Sequence, residues 1–340
     1  MHSLLEHAPD LHAELHQLLL QVPSGRVTTY GKLAGALGDS GAARWVGEAL
    51  VDHPHDEHCP CHRVVRVDGH IGLYISRDST EKAARLQTEG VSVTNDRVDC
   101  RDGFFDEFQS SAPLARLRQV QTELSPTVRP LKSAPTSVAG VDVSYVSSTE
   151  AVAAYVLLEP SSLREIWSTT VVCPVEFPYI TGYLSFRELP MFVSLFKQVR
   201  EADRMADVTF VDGNGILHPR RAGSASYVGI ATDSPTIGVG KKLLLGKVDV
   251  DRVTAKEPRK ITHEGETVGY AMTAGARNRP FFVSPGHLTS LEDARRFTTQ
   301  VMTDRRLPLP IVLADRLSRD EAQLLKQQNA ETDTKSDIPP

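Results

Sequence analysis

Three strand-like runs crowd into residues 137–173: SVAGVDVSY, AVAAYVLLE and EIWSTTVVC, each rich in β-branched residues and separated by short polar turns. The first hundred residues keep a different rhythm. There Leu4, Leu11, Leu15, Leu18 and Leu19 fall at helical spacing and predict one buried face. Thr28 or Thr29 can cap a second helix running to Leu37. GDSG makes a turn, a third helix follows from Ala42 to Leu50, and residues 80–89 predict another, closed by Gly90. Two short helices joined by a Gly-containing turn fit a helix-turn-helix. A change of period of this kind asks for two domains, and 340 residues are enough for both.

Beyond the three strands the chain alternates. A helix is expected over 185–203, a strand over 207–213, a helix after Pro219 and a strand within 235–242. Strands return at 268–273 and 280–284, with helices near 290–303 and after Ser318. A meander followed by strand–helix alternation predicts an α/β domain with a mixed sheet. The polar stretch NDRVDCRDGFFDEFQSSAP marks the boundary. The expected division is a first domain over 1–98, a linker over 99–113, a second domain over 114–325 and a polar, disordered tail over 326–340.

Charge and composition exclude little but exclude it firmly. A net charge of -5 rules out a strongly basic chain, though a local basic patch can still bind nucleic acid. No apolar run approaches the ~20 residues of a membrane span, and MHSLLEHAPD lacks the positive start of a secretory signal. Four cysteines do not make a disulfide framework. A soluble, cytoplasmic, monomeric protein in a reducing compartment is expected.

Two carboxylates stand out. Asp142 lies between Val141 and Val143, and Asp212 ends the apolar run TFVD. A carboxylate in a buried strand is costly unless paired. One such residue is as well explained by a structural hydrogen bond; two on neighbouring strands favour a site for a hard cation such as Mg²⁺ or Mn²⁺.

The motifs AGVDVSY (139–145), PYITGYLSFRELP (178–190), DGNGILHPRRAG (212–223) and TIGVGKK (236–242) resemble, in order, those of the endonuclease V family. The resemblance covers about 114–320. It implies a ribonuclease H-like fold and metal-dependent nicking of DNA one phosphodiester beyond the 3′ side of a deaminated base, chiefly hypoxanthine. Carried over, Asp142, Glu188 and Asp212 are metal ligands, with Asp315 of LADRLS as the fourth and His287 as its competitor. Lys241 and His218 join them at the scissile phosphate, and Arg220 and Arg221 offer forked donors to phosphate. Tyr179 matches the wedge that replaces the extruded base. Gly182, Leu184, Gly213 and Gly223 match the base pocket, although glycines there also make turns. Thr181 stands where the family usually has Pro, Gly240 where it has Ala, and PIVLAD where it more often has Thr-Arg.

The stretch HPHDEHCPCHRVV (53–65) holds four histidines and two cysteines, which suggests either a metal site or a nucleophile. Cys59 and Cys61 are one residue apart, closer than zinc motifs usually allow, and no second pair follows. A redox pair would need a strained small ring. Cys100 and Cys173 read as ordinary thiols. With VTTYGKLA (27–34), AARWVG (42–47) and GHIGLY (69–74), PCHRV resembles the active-site domain of O6-alkylguanine-DNA alkyltransferases over about 10–95. That resemblance implies a mainly α, winged-helix-like DNA-binding domain. Cys61 is then the acceptor thiol, His62 its base through a water, and Glu89 the group orienting His62. No cofactor is implied for alkyl transfer. Tyr30 matches the residue that rotates the target phosphate, Arg44 the finger that fills the stack, and Val64 the carbonyl holding the base. Small residues such as Ala42 and Ala43 allow close approach to DNA. His53 replaces the usual Asn before the hinge proline, HDEHC replaces an apolar run, and ISRDS replaces Ser-Gly-Gly in the pocket loop.

Together these resemblances imply a fused repair protein acting on O6-alkylguanine and deoxyinosine in DNA. Two alternatives stay open: a first domain that reads alkyl damage without reacting, and a nuclease acting mainly on inosine-containing RNA.

Overall fold

The computed structural model describes residues 8–53, 58–75, 77–99, 101, 103–275 and 278–336. Cys100, Ser76 and residues 54–57 of the histidine-rich hinge lie outside the described residues. Two compact units emerge. One comprises 8–120 together with 177–184; the other comprises 121–176 and the chain from 185 onward.

The first unit is mainly helical. Helix α1 (Leu11–Leu19) is capped by Asp10, which accepts from the N–H groups of His12 and Ala13, and it buries Leu11, Leu15, Leu18 and Leu19. Strand β1 (Thr28–Thr29) leads into α2 (Tyr30–Ala36), whose cap is Thr29 through Lys32 N at 3.2 Å. Asp39 then accepts from Gly41 N and starts a 3-10 turn over Ser40–Ala42, after which α3 runs over Ala43–Asp52. This is the expected helix-turn-helix. A 3-10 turn over Pro60–Arg63 carries PCHR into β2 (Val64–Val65), which pairs parallel with β1. Helix α4 (Ser79–Thr88) follows. A small wing, β3 (Val93–Thr94) and β4 (Arg97–Val98), turns on Asn95 and Asp96, both at positive φ as a tight hairpin requires. Val27, Val65, Ile71, Leu86 and Val98 close the core under it.

Residues 103–112, expected as part of a linker, are a packed strap. Phe105 N donates to Val27 O (2.8 Å), Thr28 Oγ1 to Phe105 O (2.8 Å) and Gln109 N to Gln21 Oε1 (2.7 Å). A polar composition therefore marked a surface segment whose backbone groups are satisfied by the unit beneath it. Helix α5 (Pro113–Glu123) follows. The segment 177–184 folds with this unit as well. The Tyr183 hydroxyl lies 2.7 Å from Asp39 Oδ2 and 3.2 Å from Leu114 O, and Arg118 pairs with the same Asp39.

The second unit is built on an eight-stranded mixed sheet. Its strands are β5 (Val138–Tyr145), β6 (Glu150–Glu159), β7 (Arg164–Pro174), β8 (Val208–Asp212), β9 (Thr236–Gly240), β10 (Arg259–His263), β11 (Glu266–Met272) and β12 (Phe281–His287). Their order is β10-β11-β12-β9-β8-β5-β6-β7, with β5, β8 and β9 parallel. The expected meander is β5–β7. The charged run RKITH of β10 gave no strand signal in the sequence. Helix α6 (Leu184–Glu201) buries Phe186, Leu189, Phe192, Leu195 and Phe196; α7 (Ser224–Thr232) and α8 (Leu291–Gln300) follow. Helix α9 (Leu309–Ser336) continues through much of the stretch expected to be a disordered tail. Among the described residues no helix is long and apolar enough to cross a membrane.

Candidate active sites

In the second unit the site forms where the carboxyl end of β8 meets the middle of β5. Val141 on β5 is in register with Val211 on β8, so Asp142 and Asp212 stand side by side. Glu188 reaches them from α6 and Asp315 from α9. Helix α9 can approach because Gly140, two residues before Asp142, has no side chain: a Cβ there would lie 2.0 Å from Pro310 O. Lys241 follows β9 and its Nζ lies 2.5 Å from Asp212 Oδ2. Ser318 on α9 donates to Asp142 Oδ2 at 3.2 Å and contacts Ser144 Oγ at 2.9 Å. The Tyr145 hydroxyl donates to Glu188 Oε1 at 3.4 Å.

These carboxylates strain one another. Burial, then Asp212 and Asp315, push the Asp142 carboxyl up to about 7. Burial, then Asp142 and Asp212, push Glu188 up to about 8. Lys241 is lowered by burial but raised further by Asp212, Asp142 and Asp315, and stays charged. Hard oxygen donors whose ionisation is this costly fit a divalent cation, which relieves both burial and repulsion. Among the described residues, however, no three of these carboxylates bring ligand atoms within 4.8 Å of one another. Among the described residues, the group of three or more ligand atoms within 4.8 Å of one another is His53, Cys59 and Cys61, in the first unit.

His287 does not join the cluster. Its Nδ1 accepts from Thr127 N at 3.1 Å, and the charges acting on it are Asp233 and Arg129. Those acting on Asp142 include Asp315. Asp315 is held by Arg319, 2.5 Å from both its oxygens. His218 is pushed down to about 4 by burial and by Arg220, and its Nδ1 accepts from Arg220 N. Arg221 lies 3.8 Å from Glu266. Gly213 and Gly223 admit close packing: a Cβ would fall 2.8 Å from Ser224 Cβ and 2.3 Å from Asn214 O respectively. Gly240 is explained in the same way, since a Cβ there would lie 2.4 Å from Asn214 Oδ1. Tyr179, Gly182 and Leu184 sit on the segment that folds with the first unit, with Tyr179 exposed and Gly182 at positive φ.

In the first unit Cys61 is buried in the 3-10 turn. His62 Nε2 lies 2.9 Å from Glu89 Oε1, while its Nδ1 is buried without a hydrogen-bond partner. A carboxylate accepts only, so Nε2 carries the proton and Nδ1 offers a lone pair. Arg63 grips the same carboxylate with two nitrogens and reaches Val22 O at 2.6 Å. Burial lowers His62 and outweighs Glu89, so the imidazole stays neutral. The Cys61 thiol is raised by its hydrogen bond with Cys59, then by burial.

Lys82 escaped sequence reasoning. It is fully buried, donates to Val64 O (2.6 Å) and Leu73 O (3.3 Å), and is pushed down to about 8 by burial. The available signal was its spacing, four residues before the buried Leu86 on one helix face. Tyr30 and Arg44 border a cleft of about 570 Å³ that also presents Arg66 and Arg77. Arg44 is exposed on the first turn of α3 and pairs with Glu48.

Comparison with known proteins matches each part of the chain to a family. Residues 119–316 match the family model for endonuclease V, and residues 10–91 match that for the DNA-binding domain of 6-O-methylguanine DNA methyltransferase. The chain is 34% identical over 322 residues to a bifunctional methyltransferase/endonuclease of Picrophilus torridus, covering 94% of this chain and 98% of that one. An endonuclease V of Methanopyrus kandleri is 37% identical, covering 65% of this chain and 94% of its own length. Human endonuclease V superimposes with a TM-score of 0.56 at 32% identity, covering 62% of this chain and 97% of its own. Ciona intestinalis endonuclease V, in complex with a 24mer DNA containing an inosine followed by a ribo-adenosine, gives 0.56 at 29%, covering 62% and 98%. The endonuclease V family is metal-dependent.

Proposed function

The chain belongs to the endonuclease V family and, along nearly its whole length, to the bifunctional methyltransferase/endonucleases; from this premise we propose a division of labour in DNA repair between its two units. The first accepts the alkyl group of O6-alkylguanine on Cys61. The second nicks DNA 3′ to hypoxanthine with Mg²⁺, or Mn²⁺, held by Asp142, Glu188, Asp212 and Asp315. The observation that carries the nuclease reading is the register that sets Asp142, within β5, beside Asp212 at the carboxyl end of β8.

Asp142, Glu188, Asp212 and Asp315 would hold the cation, which would supply activation of a water and neutralisation of charge on the phosphate and leaving oxygen. Lys241 adds fixed positive charge beside Asp212. His218, neutral at pH 7, orients through its free ring nitrogen without adding charge. In the first unit the proton of Cys61 passes through a water to His62 Nδ1, which Glu89 turns toward it. Sulfur then bonds to the alkyl carbon, the C–O6 bond breaks, and guanine O6 takes up a proton. The alkyl group stays on sulfur, so each chain reacts once.

The test uses the full chain on both substrates. Mass spectrometry should find a methyl adduct on the Cys61 peptide after incubation with O6-methylguanine DNA. Retained binding without an adduct would make the first unit a damage reader only. Asp142→Ala should abolish nicking and leave the adduct intact; near-normal nicking would sink the metal assignment. The ribo-adenosine after inosine in the Ciona complex supports a second reading, inosine-containing RNA. Matched DNA and RNA strands separate the two.

A further inference from the structure

His53, at the end of α3, places Nε2 3.0 Å from Cys59 Sγ and Nδ1 3.0 Å from Leu50 O. A carbonyl accepts only, so Nδ1 carries the proton and Nε2 accepts from the buried Cys59 thiol. Ligating imidazoles are oriented in this way, by donation of the other N–H to a backbone carbonyl. The Nε2 atom and the sulfurs of Cys59 and Cys61 all lie within 4.8 Å of one another. Around a tetrahedral Zn²⁺ with bonds of ~2.0–2.3 Å, such atoms stand roughly 3.3–3.8 Å apart. The gap is within reach of small side-chain rotations. The single-residue spacing of the cysteines argued against a zinc motif, but the third ligand comes from the helix end six residues upstream.

We propose that His53, Cys59 and Cys61 bind one zinc-class cation, and that the bound ion withholds the Cys61 thiolate from alkyl transfer. On binding, both thiols lose their protons to solvent. Two thiolates and a neutral imidazole then balance a divalent charge, which suits a buried site. Sulfur and nitrogen donors select a borderline-soft ion and leave Mg²⁺ to the carboxylates of the other unit. Binding rests on geometry alone; its consequence for transfer rests on Cys61 being the acceptor.

The reduced full-length chain is titrated with Co²⁺ in excess Mg²⁺, and thiolate-to-cobalt charge-transfer absorption is followed. One equivalent should give the band, and Zn²⁺ should displace it. Cys59→Ser and His53→Ala should each weaken binding at least about tenfold, with retained binding of O6-methylguanine DNA as the check that the first unit of each variant folds. Prior methylation of Cys61 should abolish the band without any mutation. Saturating Zn²⁺ should slow adduct formation at least about tenfold, reversed by a chelator. Absence of the band, or a band untouched by Cys59→Ser, overturns the site. A band with undiminished transfer overturns the withholding. A chain that never forms an adduct still reports on the metal through the band, so failure of the acceptor reading is distinguishable.

Discussion

Replacing Asp142 by Asn should stabilise the nuclease unit while abolishing its activity. The Asp142 carboxyl sits at about 7 in the fold against 3.8 for the free side chain, first through burial, then through Asp212 and Asp315. Its folded value is raised. The native state therefore binds more protons than the unfolded chain between those values, and stability is lost as pH rises toward 7. Above pH 7 the native chain carries the whole cost of the ionised group. At ~1.4 kcal/mol per pH unit, the gap amounts to at most ~4 kcal/mol. Asn keeps the shape and an oxygen to accept from Ser318 Oγ, now at 3.2 Å from Asp142, but removes the charge. At pH 8 with a chelator, Asp142→Asn should therefore gain roughly 1–4 kcal/mol, and the gain should shrink as pH falls toward 4. Trp167 on β7 reports unfolding of this unit in a Trp45→Phe background, since the chain has two tryptophans. Nicking with Mg²⁺ should fall below detection. A variant less stable than the parent at pH 8 without metal, or one that nicks normally, refutes the reasoning.

Three further outcomes follow from the same geometry. Because protons on Asp142 and Glu188, at about 7 and about 8, compete with a cation, the melting shift given by Mg²⁺ should be small at pH 6 and larger at pH 8.5; a pH-independent shift contradicts this. Glu89→Ala strips Arg63 and His62 of their shared carboxylate. It should cost ~3–5 kcal/mol in chemical denaturation and slow the Cys61 adduct roughly 10²–10⁴-fold, while nicking per folded molecule is unchanged. Gly140→Ala drives a Cβ to 2.0 Å from Pro310 O, so α9 must shift and take Asp315 with it. Roughly 1–3 kcal/mol of destabilisation with a large loss of nicking is expected, and normal kinetics would show that Asp315 is dispensable.

What the sequence disclosed depended on the range of the interaction. The Thr29 cap, the Leu11–Leu19 face and the turn at Gly90 are local, and each formed where spacing put it. Asp142 and Asp212 were visible because carboxylates in apolar strands are conspicuous. Their placement on neighbouring strands was expected, but the register that sets them side by side was not visible, since it depends on parallel pairing across some seventy residues. Lys82 was invisible because a lysine on a helix reads as a solvated group; only the carbonyls of Val64 and Leu73 show why it is buried. Residues 177–184 follow the nuclease motifs in order, yet Tyr183 bonds to Asp39. His53 was noted as a departure from a usual Asn, and its Nε2 direction toward Cys59 needed the fold.

The two centres handle charge in opposite ways. Around Cys61 the thiol is kept protonated by Cys59 and burial, while His62 stays neutral with one nitrogen tied to Glu89. The reactive anion appears only when its proton has a path to Nδ1, so reactivity is set by relay geometry and not by a standing thiolate. At the carboxylates, charge is present near neutral pH and unfavourable, and Lys241 offsets part of it. A cation removes the remainder. The consequences have the same sign for different reasons. Rising pH frees oxygen ligands at Asp142 and Glu188, and it also increases the small thiolate fraction at Cys61. Only the first response should depend on Mg²⁺. A pH series run with and without Mg²⁺ on both substrates therefore separates the two centres within one chain, without any mutation.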